Sequence, residues 1–145
     1  MKVPIAIFLI ATTLVSTGAK AQNDIKIETR SACPSIEELS PQHLYGLWRA
    51  EFSGLAQGAT LLLEKHPQWP DSFSGGANRA GVQTRVSGEL ESEDVSLEES
   101  ADGVEVSAVW QGTVLEGSCG KEIRGTWNSA KNRTLYPFVM RKLPG

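Results

Sequence analysis

From Gly46 onward the chain alternates in character with a period of two. Trp48, Ala50 and Phe52 interleave with Leu47, Arg49 and Glu51. Val82, Thr84, Val86, Gly88 and Leu90 interleave with Gln83, Arg85, Ser87, Glu89 and Glu91. The longest run sets Val104, Val106, Ala108, Trp110, Gly112 and Val114 on one face. Successive strand residues point to opposite sides, so each segment buries one face and wets the other. Turn formers divide the pattern into eight strands, over 46–53, 59–65, 73–79, 82–92, 94–100, 104–116, 122–128 and 134–142. Asp102-Gly103 carries the strongest two-residue turn signal, because glycine takes a positive φ cheaply.

Short connections between neighbouring strands predict an up-and-down antiparallel order. Eight tilted strands can close on themselves and so remove their edges. The expected fold is therefore all-β, a small eight-stranded barrel, with a flattened sandwich as the rival. Its inward set is Trp48, Phe52, Leu61, Leu63, Trp110, Trp127, Phe138 and Met140. Gly88, Gly112 and Gly125 share that parity and would leave room for the indoles.

The residues before Gly46 read differently. Lys2, an apolar run from Ile5 to Val15 and Ala19-Lys20-Ala21 form a signal peptide over residues 1–21, with cleavage near Ala21. The run is too short to span a bilayer as a helix. The expected location is periplasmic or secreted. Residues 22–44 read as an exposed arm and a short helix, with Pro34 and the acids of Ile36-Glu37-Glu38 suiting a first helical turn. The barrel domain then spans 45–145.

The formal charge of −3 becomes more negative when Lys2 and Lys20 leave with the signal. Without basic clusters, nucleic acid and anionic membrane surfaces are poor partners. In an oxidising compartment the two cysteines, Cys33 and Cys119, most simply form one bridge that ties the short helix onto the barrel. Closing so long a loop stabilises by about 4 to 5 kcal/mol in the chain-entropy account.

Gly46-Leu47-Trp48 after a short helical turn resembles the start of lipocalin-like barrels. Trp110-Gln111-Gly112 and Gly125-Thr126-Trp127 resemble the tryptophan-bearing strands of avidin-like barrels. Both resemblances imply a calycin-type barrel that holds a ligand at one end. Avidins ring biotin with hydroxyls and amides, whereas the inward polar positions here are Thr84 and Thr60, so the resemblance does not extend to biotin. Ser35 to Leu39 followed by Gly46-Leu47-Trp48 also resembles the opening of exported inhibitors of bacterial zinc metalloproteases. Those proteins place their disulfide near the first strands, unlike Cys33 and Cys119.

Catalytic chemistry finds little to work with. His43 and His66 stand apart from each other and from the cysteines, so a zinc site lacks ligands. No serine sits in a nucleophile elbow, and no glycine-rich phosphate loop is present. Glu89, Glu91, Glu93, Asp94, Glu98 and Glu99 read as an acidic outer surface able to meet a basic partner. No catalytic residue, metal or cofactor is implied. Two binding readings remain, a small apolar or amphipathic ligand at one barrel end or an extracytoplasmic protein. For the first, Trp48, Trp110, Trp127, Phe138 and Thr84 are the candidate residues, although such indoles are more often core than ligand walls. For the second, the candidate is Trp69, held between Pro67 and Pro70 beside His66, with Asn78 and Arg79 at the next turn.

Overall fold

In the computed structural model the described residues are 33–145. The expected signal peptide and the arm before Cys33 lie outside them. A one-turn helix, α1 (Pro41–Leu44), precedes eight strands. These are β1 (Gly46–Phe52), β2 (Ala59–Lys65), β3 (Ser72–Arg79), β4 (Val82–Glu91), β5 (Asp94–Ser100), β6 (Ala108–Val114), β7 (Glu122–Ser129) and β8 (Leu135–Lys142). Each strand pairs antiparallel with the next, and β1 also pairs with β8 to close the barrel. Closure leaves no free strand edge.

Alternation drives the core as expected. Trp48, Leu61, Leu63, Trp110, Ile123, Trp127, Phe138 and Met140 all point inward and are buried. Of the inward glycines, only Gly112 faces aromatic packing, since a Cβ there would press on Ile123 and Phe138. At Gly88 and Gly125 a Cβ would collide with the carbonyl oxygens of Ser96 and Gln111 on neighbouring strands. Those two glycines therefore allow close backbone approach rather than room for an indole. Between β3 and β4, Ala80 and Gly81 both have positive φ, 54° and 81°, the two-residue turn that suits a twisted hairpin.

Two expectations need correction. The strand expected from residue 104 begins at Ala108, and Val104 is 86% exposed. The Asp102 carboxylate accepts the backbone N–H groups of Val104 and Glu105, at 2.8 and 2.9 Å, while Ser100 Oγ accepts that of Gly103. A local side-chain network thus outcompetes the ladder and turns a two-residue hairpin into a loop over 101–107. Hydrogen bonds donated to it hold the Asp102 carboxyl below the usual carboxylate range, first that of the Glu105 N–H, then that of Val104, then one from the Ser100 hydroxyl at 3.1 Å. Thr60 points outward, where Arg49 Nη1 donates to its hydroxyl at 3.4 Å, so it is not an inward polar position. The strand that begins at Ala108 ends at Val114, two residues short of the expected 116, and every other strand boundary lies within one residue of expectation.

The helical segment falls on 41–44, and residues 36–38 form only a turn. One barrel end is stoppered by this region. The indole Nε1 of Trp48 donates to the Leu44 carbonyl oxygen at 2.8 Å, and Lys142 Nζ donates to that of His43 at 2.9 Å. These bonds satisfy the carbonyls that a short helix leaves free. Burial, with Lys121 nearby, pushes the Lys142 ammonium below the usual lysine range. The Cys33–Cys119 disulfide forms and fastens the segment before α1 to the β6–β7 connection. Gly120 of that connection packs under Leu39 and Leu44.

Candidate functional site

With one end stoppered, the connections at the other end decide what the barrel can meet. These are 53–58, 80–81, 101–107 and 130–134. Beneath them lies a feature missed in the acidic row read from sequence. Glu99, on β5, is only 7% exposed and points inward in step with Val95 and Leu97. Its Oε1 accepts the Thr84 hydroxyl at 3.2 Å, and its Oε2 accepts the Trp127 indole N–H at 3.0 Å. Glu99 is thus corrected from surface to interior. The parity of Val95, Leu97 and Glu99 on one strand was the signal that could have found it.

A carboxylate offers about four lone-pair positions, and two are engaged here. Among the described residues no cation lies within salt-bridge distance, since the ion pairs there are those of Glu122 with Arg124 and Arg141. Arg79 lies over the same indole, its guanidinium carbon 4.9 Å from the centroid of the Trp127 ring. Trp127 therefore carries a carboxylate at its N–H and a guanidinium over its face. Below it the rings of Phe52, Trp110 and Phe138 pack with centroids 5.0 to 5.4 Å apart and fill this half of the barrel. Trp110 Nε1 is buried without a hydrogen-bond partner among the described residues. Around the rim, Val82, Val104, Val106 and Leu135 are exposed.

The candidate residues separate accordingly. Thr84 and Trp127 meet at Glu99, with Trp110 and Phe138 directly beneath. Trp48 lies against α1 at the stoppered end, apart from that cluster. Arg79 and Asn78 sit at the far end of β3, whereas His66 and Trp69 precede its first residue. Eight residues of strand, roughly 23 Å, separate the two pairs, so they do not form one surface. Asn78 is engaged in its own turn, where Oδ1 accepts the Gly81 N–H at 3.2 Å.

Trp69 stands on the outside. It is 60% exposed and stacks on His66 with centroids 4.5 Å apart and planes inclined by 26°. His66 Nδ1 accepts the backbone N–H groups of Gln68 and Trp69, at 3.1 and 3.2 Å. Beside this stack a hollow of ≈ 530 Å³ runs over Ser72, Ser87, Gly88, Glu89, Ser96 and Glu98. It adjoins a second hollow of ≈ 390 Å³, which shares Glu89 and Ser96 and continues past Gln111 and Thr113 to Arg124 and Thr126. A third groove, ≈ 620 Å³, crosses the outer face of β1 to β4 over Leu47, Leu62 and Gly76.

No family model matches the chain, and no curated protein matches it. Among solved structures it is similar to that of EF1p2_mFAP2b bound to DFHBI, with a TM-score of 0.44 and 13% identity. That likeness covers 72% of this chain and 97% of the other. The chain is an eight-stranded antiparallel barrel.

Proposed function

We propose that the protein is an exported, non-catalytic barrel that binds a small amphipathic ligand at the end away from α1. The observation that carries this reading is Glu99, a buried carboxylate with spare acceptor capacity and only neutral donors in contact. Burying a charge without a paired cation costs several kcal/mol. A core position filled for stability alone would favour an apolar residue. The exposed rim valines supply apolar surface around that polar centre, which suits a ligand with an apolar body and a donating head. Because the rings of Phe52, Trp110 and Phe138 pack beneath Glu99, the ligand's body seats at the mouth and only its head reaches down to the carboxylate. The disulfide supports an oxidising compartment.

Titration with octanamide and methyl octanoate, followed by tryptophan fluorescence, tests the reading. The two share a tail, but only the amide donates a hydrogen bond. A hydrogen bond to a charged group is worth about 1.5 to 3 kcal/mol, so octanamide should bind at least about tenfold more tightly. Glu99→Leu should erase the difference. Equal affinity for both probes in the native protein would count against the carboxylate as a ligand group.

A second reading, a protein-binding module such as an inhibitor of a secreted hydrolase, is favoured by the filled interior and the exposed Val104 and Val106. Under it, the 101–107 loop contacts the partner and neither amphiphile binds. Export is tested by sequencing the mature N-terminus, which should begin at Gln22.

A further inference from the structure

A second binding surface lies outside the barrel, independent of the mouth. We propose that the groove beginning at Trp69 binds an oligosaccharide of neutral or amine-bearing sugars. Trp69 presents an indole face that is already immobilised. His66 stacks behind it, and the imidazole is itself fixed by two backbone N–H groups. Little side-chain entropy remains to be lost when a ligand lands on that face. A flat, exposed indole matches the C–H face of a pyranose ring.

The rest of the groove supplies what the sugar hydroxyls need. Next to Trp69 come Ser72, Ser87, Ser96, Glu89 and Glu98, and the adjoining hollow adds Gln111, Thr113 and Thr126. These are hydroxyl, amide and carboxylate groups in series, able both to donate and to accept. The two hollows share Glu89 and Ser96, so they form one track that can seat consecutive sugar rings. A protein partner fits this face poorly. Interfaces depend on a desolvated apolar centre, and Trp69 is the one large exposed apolar side chain in the track. A peptide cannot join the sheet as an added strand, because the barrel is closed and has no edge.

Charge narrows the sugar. Glu89, Glu91, Asp94 and Glu98 line or flank the track, and Glu91 faces Asp94 directly across β4 and β5. Arg124, the one cation lining it, is drawn to Glu122 at 3.1 Å. An anionic polysaccharide would meet net repulsion, whereas a neutral or protonated amino sugar would not.

The test uses the full mature protein and four probes: the hexamers of β-1,4-glucosamine, β-1,4-N-acetylglucosamine and galacturonate, and hexalysine. The Trp69 indole N–H signal in NMR reports occupancy. The glucosamine and N-acetylglucosamine hexamers should shift it, and galacturonate and hexalysine should not. Trp69→Ala, titrated by calorimetry because the reporting indole is gone, should weaken both sugars at least about tenfold while the Trp127 signal stays in place. Glu89→Gln with Glu98→Gln should lower the preference for glucosamine over its N-acetyl form. Binding of hexalysine alone would make the face a basic-peptide site and overturn the proposal. So would unchanged sugar affinity in Trp69→Ala, or no sugar response at millimolar concentration. None of these outcomes depends on whether octanamide binds at the mouth.

Discussion

Replacing Glu99 with leucine separates a binding carboxylate from a structural one. The side chain is 7% exposed, so the substitution acts on an interior position. Two hydrogen bonds are lost, from Thr84 and from the Trp127 indole. Each is made to a charged acceptor and is worth about 1.5 to 3 kcal/mol, a loss of about 3 to 6 kcal/mol together. Against this, removing a carboxylate that lacks a paired cation relieves a desolvation cost of several kcal/mol. Leucine also sets apolar surface beside the Trp127 indole. The terms nearly cancel, and the net change should stay within about 2 kcal/mol, a Tm shift of less than about 8 °C for a domain of this size. Urea unfolding followed by tryptophan fluorescence measures it, with binding of octanamide tested on the same sample. A loss above about 4 kcal/mol would show that the carboxylate is a strut, and the functional reading built on it would fall.

Other expectations are more local. Reducing Cys33–Cys119, or replacing both residues with serine, should cost about 4 to 5 kcal/mol from the long loop it closes, seen as an earlier urea midpoint. Gly125→Ala should fail to fold or lose its cooperative transition, because the new Cβ meets the Gln111 carbonyl and the Gly112 backbone with no flexible atom to yield. Asp102 gives a pH signature. Its carboxyl is held below the usual range, so the ordering it supplies to 101–107 is fully present above the ordinary aspartate value of about 3.9 and is lost only as pH falls below it. The protection factors of the Val104 and Glu105 amides, corrected for the pH dependence of intrinsic exchange, should therefore hold at pH 5 and fall as pH drops through the lowered Asp102 value, and Asp102→Ala, which removes the acceptor, should lower both at pH 5.

How far the sequence reached depended on whether local and global signals agreed. In β1 and β4 the period of two coincides with real pairing, and the inward sets follow directly. At Val104 and Val106 the alternation continues but Asp102 captures the backbone N–H groups, so periodicity overran a loop. Glu99 was legible by parity, yet its charge assigned it to the surface, because acids are seldom buried without partners. The His66–Trp69 stack depends on a loop bend that no periodicity encodes. Arg79 lay one strand away from Trp69 in sequence, and a strand places its two termini at opposite ends of a barrel. The stopper of α1 rests on Trp48 and Lys142 reaching its carbonyls, contacts that come from distant parts of the chain.

The four indoles provide the most direct measurement. Their N–H signals mark the stoppered end (Trp48), the interior (Trp110), the mouth (Trp127) and the outer face (Trp69). Adding octanamide should move the Trp127 signal and leave those of Trp48 and Trp69 where they are. A response confined to Trp48 or Trp69, with Trp127 unmoved, would contradict a ligand seat above Glu99.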